Sequence, residues 1–154
     1  MTSAGLVIRS LDPADAPAVA ALLAGQAEDY LRFFHVMGQD EQVVRQILEE
    51  RQRDLYSGIY WQAELICVFF LRGWDAGFEI PSFGLVVDAV HRGHHVVSVA
   101  VEASKLSARL AGAQRMMIKV HPENDAGTTA AQRLGFAESH EEPDTGNIVS
   151  YMEL

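Results

Sequence analysis

The stretch from Phe83 to Ala111, FGLVVDAVHRGHHVVSVAVEASKLSARLA, limits the possible folds more than any other part of the chain. It reads as a buried strand, a basic turn at His91-Arg92-Gly93-His94-His95, and then an amphipathic helix. In that helix Val96, Val99, Ala100, Ala103, Leu106 and Leu110 recur at three- and four-residue spacing. Arg115 to Val120 reads as the following strand. A strand–helix–strand unit of this kind closes as a right-handed crossover between parallel strands. Its tight turn aims unpaired backbone N–H groups at one spot, and a helix N-terminus there favours phosphate or another anion.

The rest of the chain supplies antiparallel partners. Leu6 to Arg9 predicts a short strand, and Asp12-Pro13 starts a helix whose Val19, Leu22 and Leu23 share one face, with Gly25 at its end. Glu28 to His35 packs three aromatics and a histidine into a short segment. This segment reads either as a second helix with aromatics in the core or as a lid facing a substrate. Gln42 to Leu55 predicts a charged helix, and Gly58 to Gln62 and Leu65 to Leu71 a hairpin joined by Ala63-Glu64. The ICVFFL run predicts a central strand buried on both faces. Phe78 to Val90 reads as one strand with a bulge at Pro81. Asn124 or Asp125 caps a short helix from Ala126 to Leu134 that ends at Gly135, and Phe136 to His140 with Asn147 to Leu154 forms a closing hairpin. The expected fold is α/β (α+β): a mixed, mostly antiparallel sheet with one parallel βαβ crossover and helices on both faces, in a single domain over residues 1–154.

Composition narrows the partners. With 12 basic against 21 acidic residues the formal net charge is −9. No basic stripe offsets it, which argues against nucleic acid and suits an amine-bearing substrate. The longest apolar run, Leu65 to Leu71, is too short for a membrane span, and the N-terminus shows no secretory pattern, so the cytoplasm is the expected compartment. The lone Cys67 lies inside that run and reads as a core residue. His91, His94 and His95 invite a metal reading, but among carboxylates only Asp88 stands at close ligand spacing, so no metal is expected. A homodimer is compatible with a domain of this size.

The strand Leu85-Val86-Val87, the turn and helix start His91 to Ser98, and the trailing Asn124…Leu134-Gly135-Phe136 together resemble the GNAT superfamily of acyl-CoA-dependent N-acyltransferases, over most of the chain. The family loop Arg/Gln-x-x-Gly-x-Gly/Ala maps onto Arg92, Gly93, His94, His95, Val96 and Val97. The resemblance implies that Arg92 to Ser98 hold the pyrophosphate of acetyl-CoA. It further implies that the backbone of Leu85, Val86 and Val87 pairs with the pantetheine arm, with Asn124 beside it. The amide of Val86 or Val87 would then face the oxyanion. Here His95 and Val97 stand at the two later glycine positions, so the turn is expected to need no positive φ. Ala131 stands where the family often has a tyrosine acid, and Tyr30 and Tyr151 are the tyrosines left to replace it.

A neutral amine must be generated before it can attack a thioester. The resemblance places a glutamate base on the strand entering the loop, which makes Glu79 the first candidate and His121, at the end of the next strand, the second. The run from Leu71 to Gly84 is similar to a stretch in GNAT-type enzymes that acylate nucleotide-linked amino sugars. Trp74 would then stack on a sugar or base, or else simply cover the hairpin end. Tyr30 and Phe34 are the other candidate substrate-binding residues. The expected function is transfer of an acetyl group to a small primary amine by direct attack. The alternatives are a non-catalytic module that binds acyl-CoA or another ligand, and a protein N-acetyltransferase.

Overall fold

The computed structural model describes residues 5–154; the start of the expected 1–154 domain, residues 1–4, lies outside the described residues. A seven-stranded sheet runs through the molecule: β1 (Leu6–Ser10), β2 (Leu55–Trp61), β3 (Glu64–Arg72), β4 (Ser82–Val87), β5 (Arg115–Val120), β6 (Ala137–Glu141) and β7 (Ile148–Glu153), in the spatial order β1-β2-β3-β4-β5-β7-β6. Every neighbouring pair is antiparallel except β4 and β5. The expected mixed sheet with one parallel crossover is therefore present.

The helices are α1 (Ala16–Ala24), α2 (Glu28–Leu31), α3 (Glu41–Glu50), α4 (Val96–Leu110) and α5 (Asp125–Leu134). They cover both faces of the sheet. Val19, Leu22 and Leu23 of α1 and Val44 and Leu48 of α3 pack on Val68, Phe70 and Val86. On the other face Ala100, Val101 and Ala108 of α4 and Ala131 of α5 pack on Cys67, Phe69, Phe83 and Val87. The alternation along β3 and β4 explains this split, since successive side chains of a strand point to opposite faces. Cys67 is fully buried, and burial pushes its thiol up to about 12, so it behaves as an inert core residue. Among the described residues no helix is long and apolar enough to cross a membrane.

Several element bounds differ from the sequence reading. The charged helix stops at Glu50, and Leu55 instead opens β2. The β2–β3 turn is Gln62-Ala63, both at positive φ, rather than Ala63-Glu64. That is the conformation a two-residue hairpin wants, reached here without glycine or asparagine. The largest change is in β4, which begins at Ser82 and not at Phe78. Pro81 has no N–H to donate to a ladder; it lies before the strand, where its carbonyl accepts the Met117 N–H at 2.9 Å. The Arg9–Asp15 ion pair (2.7 Å), with the Tyr60 hydroxyl donating to Asp15 at 2.9 Å, ties β1 and β2 to the start of the first helix. Hydrogen bonding to Arg9, chiefly, holds the Asp15 carboxyl down at about 2.

Candidate active site

Parallel pairing between β4 and β5 consists of one position, Ser82 opposite Met117. Beyond it the two strands part, so β4 carries an open edge from Leu85 to Val87. The Asp88 N–H donates to Ile66 on β3 at 2.9 Å, whereas the Val87 N–H points the other way, to the Tyr30 hydroxyl at 3.0 Å. Backbone groups of a strand alternate in direction. Leu85 and Val87 therefore face the open edge, and Val86 turns its amide toward β3. This corrects the expectation for Val86: its amide does not face the gap, and the amides that do are those of Leu85 and Val87.

The α4 helix starts at the far end of that edge. Gly93 (φ 84°) and His95 (φ 62°) both take the left-handed conformation, so the turn does use positive φ at the position where the family has glycine. That overturns the expectation of a turn without it. No side chain caps α4, which leaves its first N–H groups unpaired by the chain. Val97 lines a groove of ≈ 520 Å³ together with Asp125, Ala126, Thr129, Ala130, Arg133 and Leu134 of α5. His94 and Ser98 are exposed, and Val96 is half-buried against the core. His95→Gly removes a left-handed β-carbon and should raise stability by about 1 kcal/mol, read as a higher denaturant midpoint with unchanged slope. An unchanged midpoint would mean that His95 is unstrained.

Asn124 is the N-cap of α5; its Oδ1 accepts the Gly127 N–H at 2.9 Å, leaving Nδ2 as the group available to a ligand. His121 ends β5. Its Nδ1 accepts the Glu123 N–H at 3.1 Å, which puts the proton of the neutral ring on Nε2. In that tautomer the ring's free lone pair is engaged by the Glu123 amide, so Nε2 is a donor and not a base. Glu79 lies in the loop before β4 and not on the strand. It is exposed, and among the described residues it has no hydrogen-bond or salt-bridge partner. The nearby carboxylates are otherwise engaged. Asp75 accepts the Gln52 and Arg53 N–H groups, and Asp88 holds Gln26 and His91.

The segment around α2 answers the choice left open between core aromatics and a lid. Two of its aromatics, Tyr30 and Phe33, bridge to the β4 and β5 sides of the gap, whereas Phe34 packs against the core and not toward a substrate. Tyr30 reaches Val87 on β4, while Phe33 stacks on His121 at the end of β5 with ring centroids 4.7 Å apart. Arg32 pairs with Glu123 at 3.0 Å, and Phe34 sits 6.1 Å from Phe70. Trp74 does the reverse of what a stacking residue needs: at 5% exposure it is packed in the core beneath Arg53, which corrects its assignment to substrate. Tyr151 lies on β7 under Arg115, one strand beyond the gap, and Ala131 is buried in the core. Among the described residues no three His, Cys, Asp or Glu side chains group as a metal site; His91 is engaged with Asp88 at 3.0 Å.

Residues 5–137 match the acetyltransferase (GNAT) domain family. The chain belongs to this GNAT acetyltransferase family. Among curated proteins none matches this GNAT chain by sequence. Solved structures similar to it include an acetyltransferase from Thermus thermophilus, 18% identical with a TM-score of 0.79, covering 100% of each chain. The PaiA N-acetyltransferase from Thermoplasma acidophilum, solved in complex with coenzyme A, is 13% identical with a TM-score of 0.78, over 97% of this chain and 99% of that one. The RimL ribosomal L7/L12 alpha-N-protein acetyltransferase is 17% identical with a TM-score of 0.77, over 100% of this chain and 93% of that one. At such identities the likeness is one of fold, and the GNAT acetyltransferases concerned include a protein-modifying one.

The Gln26 side chain went unnoticed in the sequence. It is buried, donates to Leu22 O and Asp88 Oδ1 (3.0 Å each), and accepts from the Ala89 N–H and from Arg92. A polar residue following an apolar helix carried no signal of this role, because Asp88, Ala89 and Arg92 lie more than sixty residues away.

Proposed function

We propose that this acetyltransferase moves the acetyl group of acetyl-CoA directly to a primary amine of a small molecule. The observation that carries the reading is the open β4 edge leading to the uncapped start of α4. The edge offers paired N–H and C=O groups to an extended amide-bearing arm, and the helix start offers N–H groups to a pyrophosphate. In this reading Arg92, Gly93, His94, His95, Val96, Val97 and Ser98 form the phosphate cradle, Leu85 and Val87 pair with the arm, and the Nδ2 of Asn124 flanks it.

The amine nitrogen attacks the thioester carbonyl carbon, and the charge on oxygen is met by an edge-facing amide, that of Leu85 or Val87. Glu79 takes the ammonium proton, directly or through water, since among the described residues its carboxylate has no competing partner. Collapse breaks the C–S bond. With Ala131 in place of a tyrosine, the sulfur leaves as thiolate and takes its proton from water, which a thiol of ordinary pKa near ~8.5 tolerates. The net charge of −9 suits a cationic acceptor.

Calorimetric titration with acetyl-CoA, followed by CoA release across a panel of amino sugars, polyamines and peptide N-termini, tests this. Saturable binding with release on a small amine supports the reading; no binding at millimolar cofactor removes it, and release on peptides alone makes the acceptor a protein. Val97→Glu supplies a directional check. A carboxylate in the first turn of α4 favours the helix dipole, but Val97 is half-buried against the core, so the lost packing should lower stability modestly, read separately from binding. The same charge beside the phosphates should weaken acetyl-CoA binding by roughly tenfold, a loss of about 1.4 kcal/mol.

A further inference from the structure

The polar groups that Val87 presents to the open edge are already occupied by side chains. Its N–H donates to Tyr30 Oη at 3.0 Å, and its carbonyl accepts from Arg92 Nε at 3.1 Å. Arg92 also donates through a terminal nitrogen to Gln26 Oε1 at 2.6 Å, and its guanidinium lies 3.4 Å from the centre of the Tyr30 ring. Gln26, which orients Arg92, is itself buried and held by Asp88 and the Leu22 carbonyl. Across the gap Phe33 and Arg32 fasten the same segment to His121 and Glu123. The residue read as the first of the phosphate cradle is thus turned inward, clamping the strap that covers the cofactor's strand.

We infer that Tyr30 and Arg92 form a latch over Val87, and that Arg92 makes opening it depend on a diphosphate, so the enzyme selects CoA-borne donors over shorter pantetheine thioesters. This rests on the reading that the donor's arm lies along β4. An arm binding there trades the bonds to Tyr30 and Arg92 for equivalent bonds of its own, an exchange close to neutral. Pantetheine alone therefore gains little from opening the latch. A pyrophosphate offers Arg92 charge-assisted, bidentate hydrogen bonds, which are about twice as strong as neutral ones. Once Arg92 turns to the phosphate, it leaves both the Val87 carbonyl and the face of Tyr30. Tyr30 then retains a single hydrogen bond, which the arm can replace. Tyr30 is 38% exposed, so its departure opens no cavity in the core.

The test measures dissociation constants for CoA and for phosphate-free pantetheine with the wild-type chain, Tyr30→Ala and Tyr30→Phe. It adds hydrogen exchange at the Val87 amide without ligand. The latch predicts slow Val87 exchange in the wild type and faster exchange in both variants, since phenylalanine offers no oxygen to that amide. It also predicts tighter binding of both pantetheine and CoA in Tyr30→Ala, by about fivefold to tenfold, since either arm must displace Tyr30. Tyr30→Phe keeps the ring under Arg92 and should give an intermediate result; it also serves if the alanine variant folds poorly. CoA binding to all three proteins with equal affinity, or wild-type binding of pantetheine as tight as that of CoA, would overturn the latch while leaving the acetyl-CoA reading intact. Binding of CoA to none of them would overturn that reading and donor selection with it. Slow Val87 exchange would then report only a structural bond.

Discussion

Glu79→Gln is expected to lower kcat about a hundredfold near neutral pH while changing the acetyl-CoA dissociation constant less than twofold. A positioned general base contributes roughly 10²–10⁴-fold, and the lower end fits a carboxylate that is exposed rather than enclosed. The affinity should hold because Glu79, in the loop before Ser82, is not among the groups read as holding the cofactor, which belong to the β4 edge and the start of α4. The pH profile gives the sharper check. An aliphatic amine has a pKa near ~10, so its neutral fraction grows about tenfold per pH unit below that value. Without the carboxylate, the variant should climb steadily as pH rises and approach the wild type in alkaline buffer. A uniform loss at all pH values would mean that Glu79 positions the acceptor instead of taking its proton. Full activity at neutral pH would remove it from the mechanism, leaving solvent as the base, because His121 has its proton directed to Nε2 by the Glu123 amide.

How much of this was legible in the sequence depends on the range of the interactions concerned. The crossover unit was, because β4, α4 and β5 each carry a local periodicity, and the connection between parallel strands has one handedness. The position of the turn that leads into α4 followed from that unit. The left-handed backbone at His95 did not, since a histidine gives no local cue that a glycine-like conformation is imposed on it by its neighbours. The late start of β4 was hidden for a related reason. Phe78, Ile80 and Phe83 extend an apolar pattern through a segment where Pro81 cannot donate to a ladder, and the loop is shaped instead by the Phe78 N–H bonding to Gly73. The aromatic strap was visible as a composition anomaly, but not as a bridge. Tyr30 to Val87 and Phe33 to His121 are contacts between distant parts of the chain, and no periodicity encodes them. Trp74 is the converse case: of its two readings, stacking on a ligand and covering the hairpin end, the buried side chain matches the second, which residue type alone could not decide.

Gly84→Val should destabilise the fold by about 2 kcal/mol, enough to lower the melting temperature of a domain this size by roughly 6 °C. Two effects of opposite sign compete at this position. Valine has a higher strand propensity than glycine, and relief of the glycine's backbone entropy favours substitution by up to ~1 kcal/mol. Against this, a β-carbon built on Gly84 would lie 2.5 Å from Phe70 Cε2 and overlap Cζ as well. Phe70 is opposite Gly84 in the β3–β4 register, it is buried, and its ring packs between Tyr56 and Phe34 at centroid distances of 6.1 Å each. It cannot retreat without moving one of them, and forcing extra methyl groups into a packed core typically costs about 1–3 kcal/mol, occasionally more. The clash therefore outweighs the propensity gain. The cause is separable by a double-mutant cycle with Phe70→Leu, which shortens the obstructing ring. If the ring is the reason for the glycine, the two changes should couple by at least ~1 kcal/mol, the valine costing less beside leucine than beside phenylalanine. Additive losses would show that backbone conformation, and not Phe70, excludes a side chain at Gly84. The same cycle reports on the site, because Phe34 belongs to the strap: a variant that displaces Phe70 toward it should also speed exchange of the Val87 amide held by Tyr30.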